Sequence, residues 1–142
     1  MATLAAASPR KFTTSEYQDY QVVASDIIYE GSLLGLASGY ARPLQAGDTY
    51  VGIAVETVDN SAGSAGDKRV RAATTVPFVM DVTGVSDVTS ISLPVYASDD
   101  DTLTLTESTN SLIGIVMDYI SGSSCVIQPI LGSKEIYTDL ST

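Results

Sequence analysis

One apolar segment of this chain occurs twice. Tyr50-Val51-Gly52-Ile53-Ala54-Val55-Glu56-Thr57-Val58 aligns without gaps on Leu112-Ile113-Gly114-Ile115-Val116-Met117-Asp118-Tyr119-Ile120, so that Gly114 stands 62 residues after Gly52. The same spacing pairs Leu33-Leu34-Gly35 with Val95-Tyr96-Ala97. Each copy runs from a short apolar strand through a polar turn to a longer apolar strand with a glycine near its start. A repeat of this kind predicts a scaffold built twice from one β-unit. It points to a structural or binding role before any motif is weighed.

Side-chain chemistry narrows that role. The 142 residues include no histidine and no tryptophan. The absence of histidine excludes Ser-His-Asp and Cys-His catalysis and the usual zinc and haem ligand sets. Cys125 is the one cysteine, so no disulfide can form within the chain. It lies in the strand-like run Ser124-Cys125-Val126-Ile127, where a small buried side chain is expected rather than a reactive thiol. Seventeen acidic against seven basic residues give a net charge of −10. Such a chain repels nucleic acid, which is bound by displacing counterions with lysine and arginine. No stretch approaches the ~18 apolar residues of a membrane-spanning helix. The alanine-rich start has no basic region and no long apolar core, so a soluble product made in the cytoplasm is expected.

Along the chain, residues 1–20 show no sustained period and are expected to form an extended arm, which at ~3.3 Å per residue could reach tens of ångströms. From Gln21 the texture is β: valine, isoleucine, threonine and tyrosine, punctuated by glycine and aspartate. Strands are predicted at 21–29, 32–37, 50–58, 93–97, 102–106, 112–120 and 124–130. In the first long strand, Val51, Ile53, Val55 and Thr57 are placed on one face. The clearest alternation sets Val70, Ala72, Thr74, Val76, Phe78, Met80 and Val82 against Arg69, Arg71, Thr75, Pro77 and Asp81, with a bend or sheet edge at Pro77. A turn or short helical piece is expected within 85–92. The predicted fold is all-β, a compact barrel or sandwich of two related β-units over 21–131. The extended N-terminal arm precedes it, and a polar tail covers 132–142.

Candidate sites are few. Asp99-Asp100-Asp101 invites a calcium ion, but its spacing is not that of a calcium loop, and aspartate suits a hairpin tip for its own hydrogen bonds. Gly63-Ser64-Ala65-Gly66-Asp67-Lys68 has the wrong glycine spacing for a phosphate loop, carries an anion before its lysine, and is expected to be a surface loop. Carboxylate chemistry, for instance by Glu30 with Asp48 or Glu56, would need a pocket that the sequence does not mark. No catalytic residue, cofactor or metal is therefore assigned. Eight tyrosines suit half-buried strand ends and interfaces. Tyr17, Tyr20 and Tyr40, together with Arg10 and Lys11 of the arm, are the candidates for contact with a partner.

The segments Ile28-Tyr29-Glu30-Gly31-Ser32-Leu33-Leu34, Tyr50-Val51-Gly52-Ile53-Ala54, Val58-Asp59-Asn60-Ser61 with Ala65-Gly66-Asp67-Lys68, and Val95-Tyr96-Ala97-Ser98-Asp99-Asp100 occur in this order. Together they resemble the capsid decoration, or cement, proteins of tailed bacteriophages over roughly residues 21 to 130. The resemblance implies a non-enzymatic virion protein on the outer surface of the capsid, partnered by the major capsid protein. It implies a homotrimer at three-fold and quasi-three-fold positions that ties neighbouring capsid subunits together. A virion-surface adhesion or glycan-binding module is the alternative, and it would need an exposed aromatic patch, for instance around Tyr40 and Tyr96.

Overall fold

The computed structural model describes residues 5–7 and 16–131. The described residues form an all-β fold of two five-stranded units. The first unit holds β1 (Tyr17–Gln21), β3 (Leu33–Ala37), β4 (Tyr40–Pro43), β5 (Tyr50–Ala54) and β7 (Arg69–Ala73), hydrogen-bonded in the order β1-β7-β5-β3-β4. A two-stranded ribbon, β2 (Asp26–Ile28) with β6 (Val58–Asn60), is appended to it. The second unit holds β8 (Phe78–Thr83), β9 (Pro94–Ala97), β10 (Leu103–Thr104), β11 (Ser111–Ser121) and β12 (Ser124–Pro129), closed as a barrel in the order β10-β8-β12-β11-β9. A single 3-10 turn at Val88–Ser90, capped by Asp87, fills part of the 85–92 connection.

The two units are one topology used twice. Matching β1 to β8, β3 to β9, β4 to β10, β5 to β11 and β7 to β12 reproduces the strand order of one unit in the other. Even the irregularities coincide. Leu34 faces Gly52 and Gly35 faces Tyr50, so Val51 is skipped; Val95 faces Gly114 and Tyr96 faces Leu112, so Ile113 is skipped. A bulge at the same point of both long strands bends each in the same way. In the second unit β8 and β10 run parallel through Leu103↔Val82; in the first, the matching strands meet at the single parallel bridge Val22↔Ala41.

Register corrects one expected equivalence. Leu34 matches Val95, not Tyr96, so the short strand is offset one residue less than the long one. Burial agrees with this, because Leu34 sits in the first core with Val22, Val51 and Val70, and Val95 sits in the second with Val82, Ile113 and Ile127.

The first long strand also differs from its expected form. It stops at Ala54, and Val58–Asn60 turns away to pair with β2. The bulge interrupts alternation: Val51 and Ala54 face the first core, whereas Tyr50 belongs to the second core and Ile53 packs against it. Val55, expected beside Val51 and Ile53, is exposed. The β3–β5 sheet is thus a wall between two cores. Strands buried on both faces read as continuous apolar runs, which accounts for Leu33-Leu34 and for Tyr50 through Ala54. The alternation from Val70 to Val82 is present but divided. Val70, Ala72 and Thr74 are buried in the first unit and Val82 in the second, and the chain crosses between them around Pro77. Cys125 is fully buried in the second core, where burial pushes its thiol up from its ordinary pKa.

Tyr50 is the largest fully buried side chain, and among the described residues its hydroxyl has no hydrogen-bond partner. Burial first, and the neighbouring Tyr20 second, raise its pKa well above that of a free phenol. The unfolded chain, titrating near pH 10, therefore loses its proton before the folded chain does. Stability attached to this group is complete below about pH 10 and falls as pH rises further. Tyr50→Phe is expected to leave stability at neutral pH unchanged or raise it by about 1 kcal/mol, since a buried hydroxyl without a partner contributes nothing favourable. It is also expected to flatten the alkaline decline. Urea unfolding at pH 7 and at pH 10.5, about half a unit beyond the free phenol, checks both.

Candidate interaction surfaces

Of the five residues expected to meet a partner, three are described; Arg10 and Lys11 lie outside the described residues. β1 begins within the span expected to be a free arm. It pairs antiparallel with β7 from Tyr17↔Ala73 to Gln21↔Arg69, and Thr74 N–H donates to the Glu16 carbonyl at 2.8 Å. Residues 17–20 therefore belong to the sheet and not to an arm. Ordering of this segment follows from the core beneath it, because Tyr20 lies over Val51 and Val70, which β1 helps to cover.

The two tyrosines of β1 point opposite ways, as a strand requires. Tyr20 packs against the first core, its hydroxyl donates to the Val51 carbonyl at 3.2 Å, and burial raises its pKa. It closes the core, with its polar tip already engaged. Tyr17 is 40% exposed and carries the Arg71 guanidinium 5.0 Å from its ring centroid. Tyr40 begins β4 and is half-buried near Gln21, which follows Tyr17 and Asp19 on the outward face of β1. Tyr96 is buried, so Tyr40 and Tyr96 build no exposed aromatic platform.

The carboxylates considered for chemistry are dispersed into other work. Asp48 receives Arg42 Nε at 3.0 Å and Nη2 at 2.8 Å, and Gln45 N–H at 3.0 Å. The hydrogen bond that Arg42 donates to Asp48 is the main reason the Arg42 pKa rises. Glu56 lies in an open depression with Asp19, Arg69 and Arg71. Glu30 lies in a different one at the joint between units, with Tyr29, Ser32, Asp100 and Asp101. Among the described residues no three acidic or cysteine side chains converge as ligands would. The triple aspartate acts as turn and clasp: Asp99 Oδ1 accepts from Asp101 N–H at 2.9 Å, and Asp100 Oδ2 accepts from the Ser32 hydroxyl at 2.9 Å. The 61–68 segment is a surface loop, fastened by Asn60 Nδ2 donating to Val23 and Ser64 carbonyls and by Asp67 accepting from Ser64 N–H.

A surface that the sequence did not disclose becomes visible when the two units are compared position by position. On the first, Asp19 sits opposite Arg71, a solvent-exposed pair at 3.9 Å. At the matching place on the second, Val79 sits opposite Val126. Val79 is 57% exposed and Met117, two strands away at a bulge in β11, is 47% exposed. Val88, Ile91 and Leu93 are exposed alongside, in the connection whose Ser92 and Leu93 backbone groups hydrogen-bond Val116. One scaffold thus carries an ion pair on one unit where it carries two valines on the other, with Asp81 and Asp118 beside them. The signal lay in the repeat, but it needs the strand register to align Asp19 with Val79 and Arg71 with Val126.

A scan against protein-family models matches no family, and a search of the curated proteins finds no match.

Proposed function

We propose that this chain is a structural, non-enzymatic virion protein that binds the outer surface of an assembled phage capsid and stabilises it by linking neighbouring capsid subunits. The major capsid protein is its partner, and the working form is a homo-oligomer, a trimer at three-fold and quasi-three-fold sites. The observation that carries this reading is where the residues resembling capsid decoration proteins fall. Ser32 and Leu33 bind Asp100 across the joint between units, Tyr50 fills the second core, and Asn60 with Asp67 fastens the 61–68 loop. The shared residues build the scaffold itself, as expected of a family defined by shape rather than by chemistry.

Two further features support it. β1 is an edge strand, and the chain enters it directly from residues 1–15. An arm leading into a sheet edge is well placed to add main-chain hydrogen bonds to a partner's sheet. The acidic balance suits the outside of a shell filled with DNA, and salt screens repulsion between copies beyond ~8 Å.

Binding only to the closed lattice stabilises it by mass action, by about 2.7 kcal/mol when the free chain is at a hundred times its dissociation constant. Heads of the virus that encodes the chain, prepared without it, are expected to retain added protein on sedimentation and to melt at a higher temperature. Free capsid subunits are expected not to bind it. Equal affinity for free subunits and heads, or heads that melt unchanged, would contradict the reading.

A further inference from the structure

We infer that the apolar outer face of the second unit, centred on Val79, Val126 and Met117 and flanked by Leu93 and Ile91, is the face this protein presses onto the capsid lattice. Its complement there is an apolar surface bordered by lysine or arginine. The inference rests on the proposed decoration role and adds to it which surface docks and what chemistry receives it.

The internal repeat supplies its own control. The same strands in the same register meet water on the first unit with Asp19 against Arg71 and with Arg69 nearby, whereas Glu56 is matched on the second unit by Asp118. The scaffold therefore tolerates charge at these positions, and the fold does not require valine at 79 and 126. An exposed apolar cluster bordered by polar residues is the anatomy of an interaction surface.

Charge identifies the occupant. From Phe78 to Leu131 the chain carries seven acidic residues and no lysine or arginine. Three of the acids border the face: Asp81 two residues beyond Val79 on β8, Asp87 before Val88, and Asp118 opposite Val126. A second copy meeting this face through its own in a two-fold contact would bring carboxylates onto carboxylates, and like charges across an interface oppose association; a head-to-tail contact with the first unit of another copy is the case that the oligomeric state of the variants decides. A basic rim around an apolar centre matches it in both respects.

The test is co-sedimentation with heads lacking the chain, using the full-length protein and two double variants. Val79→Lys with Met117→Lys puts cations at the centre; Val79→Thr with Met117→Gln removes the apolar character at nearly constant size, for use if the lysines impair folding. Val55→Lys is the control, because Val55 is the first-unit counterpart of Met117 and is 38% exposed. We expect both double variants to bind at least tenfold more weakly than the parent chain, with unchanged melting and oligomeric state, and Val55→Lys to bind like the parent. Asp81→Lys should weaken binding and reduce its dependence on salt. Double variants that bind heads as tightly as the parent overturn the inference and leave the decoration role standing. Double variants that dissociate an oligomer assign the face to a second copy and also overturn it. A parent chain that does not bind heads defeats the decoration role itself, and the inference with it.

Discussion

Alanine at Gly114 is expected to lower the free energy of unfolding by about 3 kcal/mol or more, among the larger effects of a single methyl group. A Cβ at this position would overlap the carbonyl oxygen of Gln128 on the neighbouring strand. That oxygen is backbone and cannot swing aside, so β12 must separate from β11, and their pairing is one wall of the closed barrel. The matching residue of the first unit supports the argument independently. A Cβ on Gly52 would stand 2.7 Å from the carbonyl oxygen of Ala73, and Gly52 has φ of +142° besides. By register Ala73 is the counterpart of Gln128, since Ile53 faces the one and Ile115 the other. Both glycines therefore let the same two strands approach, because a Cβ at either place has no room beside the facing carbonyl. Gly52→Ala is expected to be comparably damaging. Urea unfolding measures both; a loss below about 1 kcal/mol at Gly114 would mean that the barrel relaxes around the methyl group.

Removing residues 1–15 is expected to weaken binding to heads at least tenfold while leaving the folded unit intact. The cut stops before Glu16, whose carbonyl holds Thr74 N–H, so β1 and its ladder to β7 survive. Removing residues 1–20 is a different experiment. It strips most of β1 from β7, uncovers Val70 and Ala72, and takes away the Tyr20 ring that closes the first core. Losing a half-buried aromatic costs less than the roughly 3–5 kcal/mol of a fully buried one, but with the β1–β7 ladder lost as well this second truncation is expected to melt far lower or fail to fold. Sedimentation with heads and thermal melting of both truncations separate the two roles. Wild-type affinity after loss of residues 1–15 would remove the arm from the mechanism, and wild-type stability after loss of residues 1–20 would remove β1 from the core.

The β-rich class, the doubling and most strand positions were legible because alternation and glycine placement are local signals. The two long strands kept one spacing, so Gly52 and Gly114 could be aligned by eye. The rest of the repeat was hidden by connections of unequal length. The first unit inserts the β6 ribbon strand and the 61–68 loop between β5 and β7, whereas β11 turns directly into β12 at Gly122. Arg71 and Val126 are therefore far from the 62-residue spacing although they occupy one structural place. The same limit applied to the candidate contacts. Tyr17 and Tyr20 looked alike in an unpatterned leader, and only pairing with β7 separates an outward ring from one that seals a core. Val79 and Val126 were not singled out in the sequence; only the register shows that they occupy the places of Asp19 and Arg71.

The most direct test of the gripping role is an electron-microscopy difference map between virus heads assembled with and without this chain. The account predicts density for the β-units on the outer surface, bridging adjacent capsid subunits, with the Val79–Met117 face against the shell. Identical maps, or density confined to the interior, would contradict it.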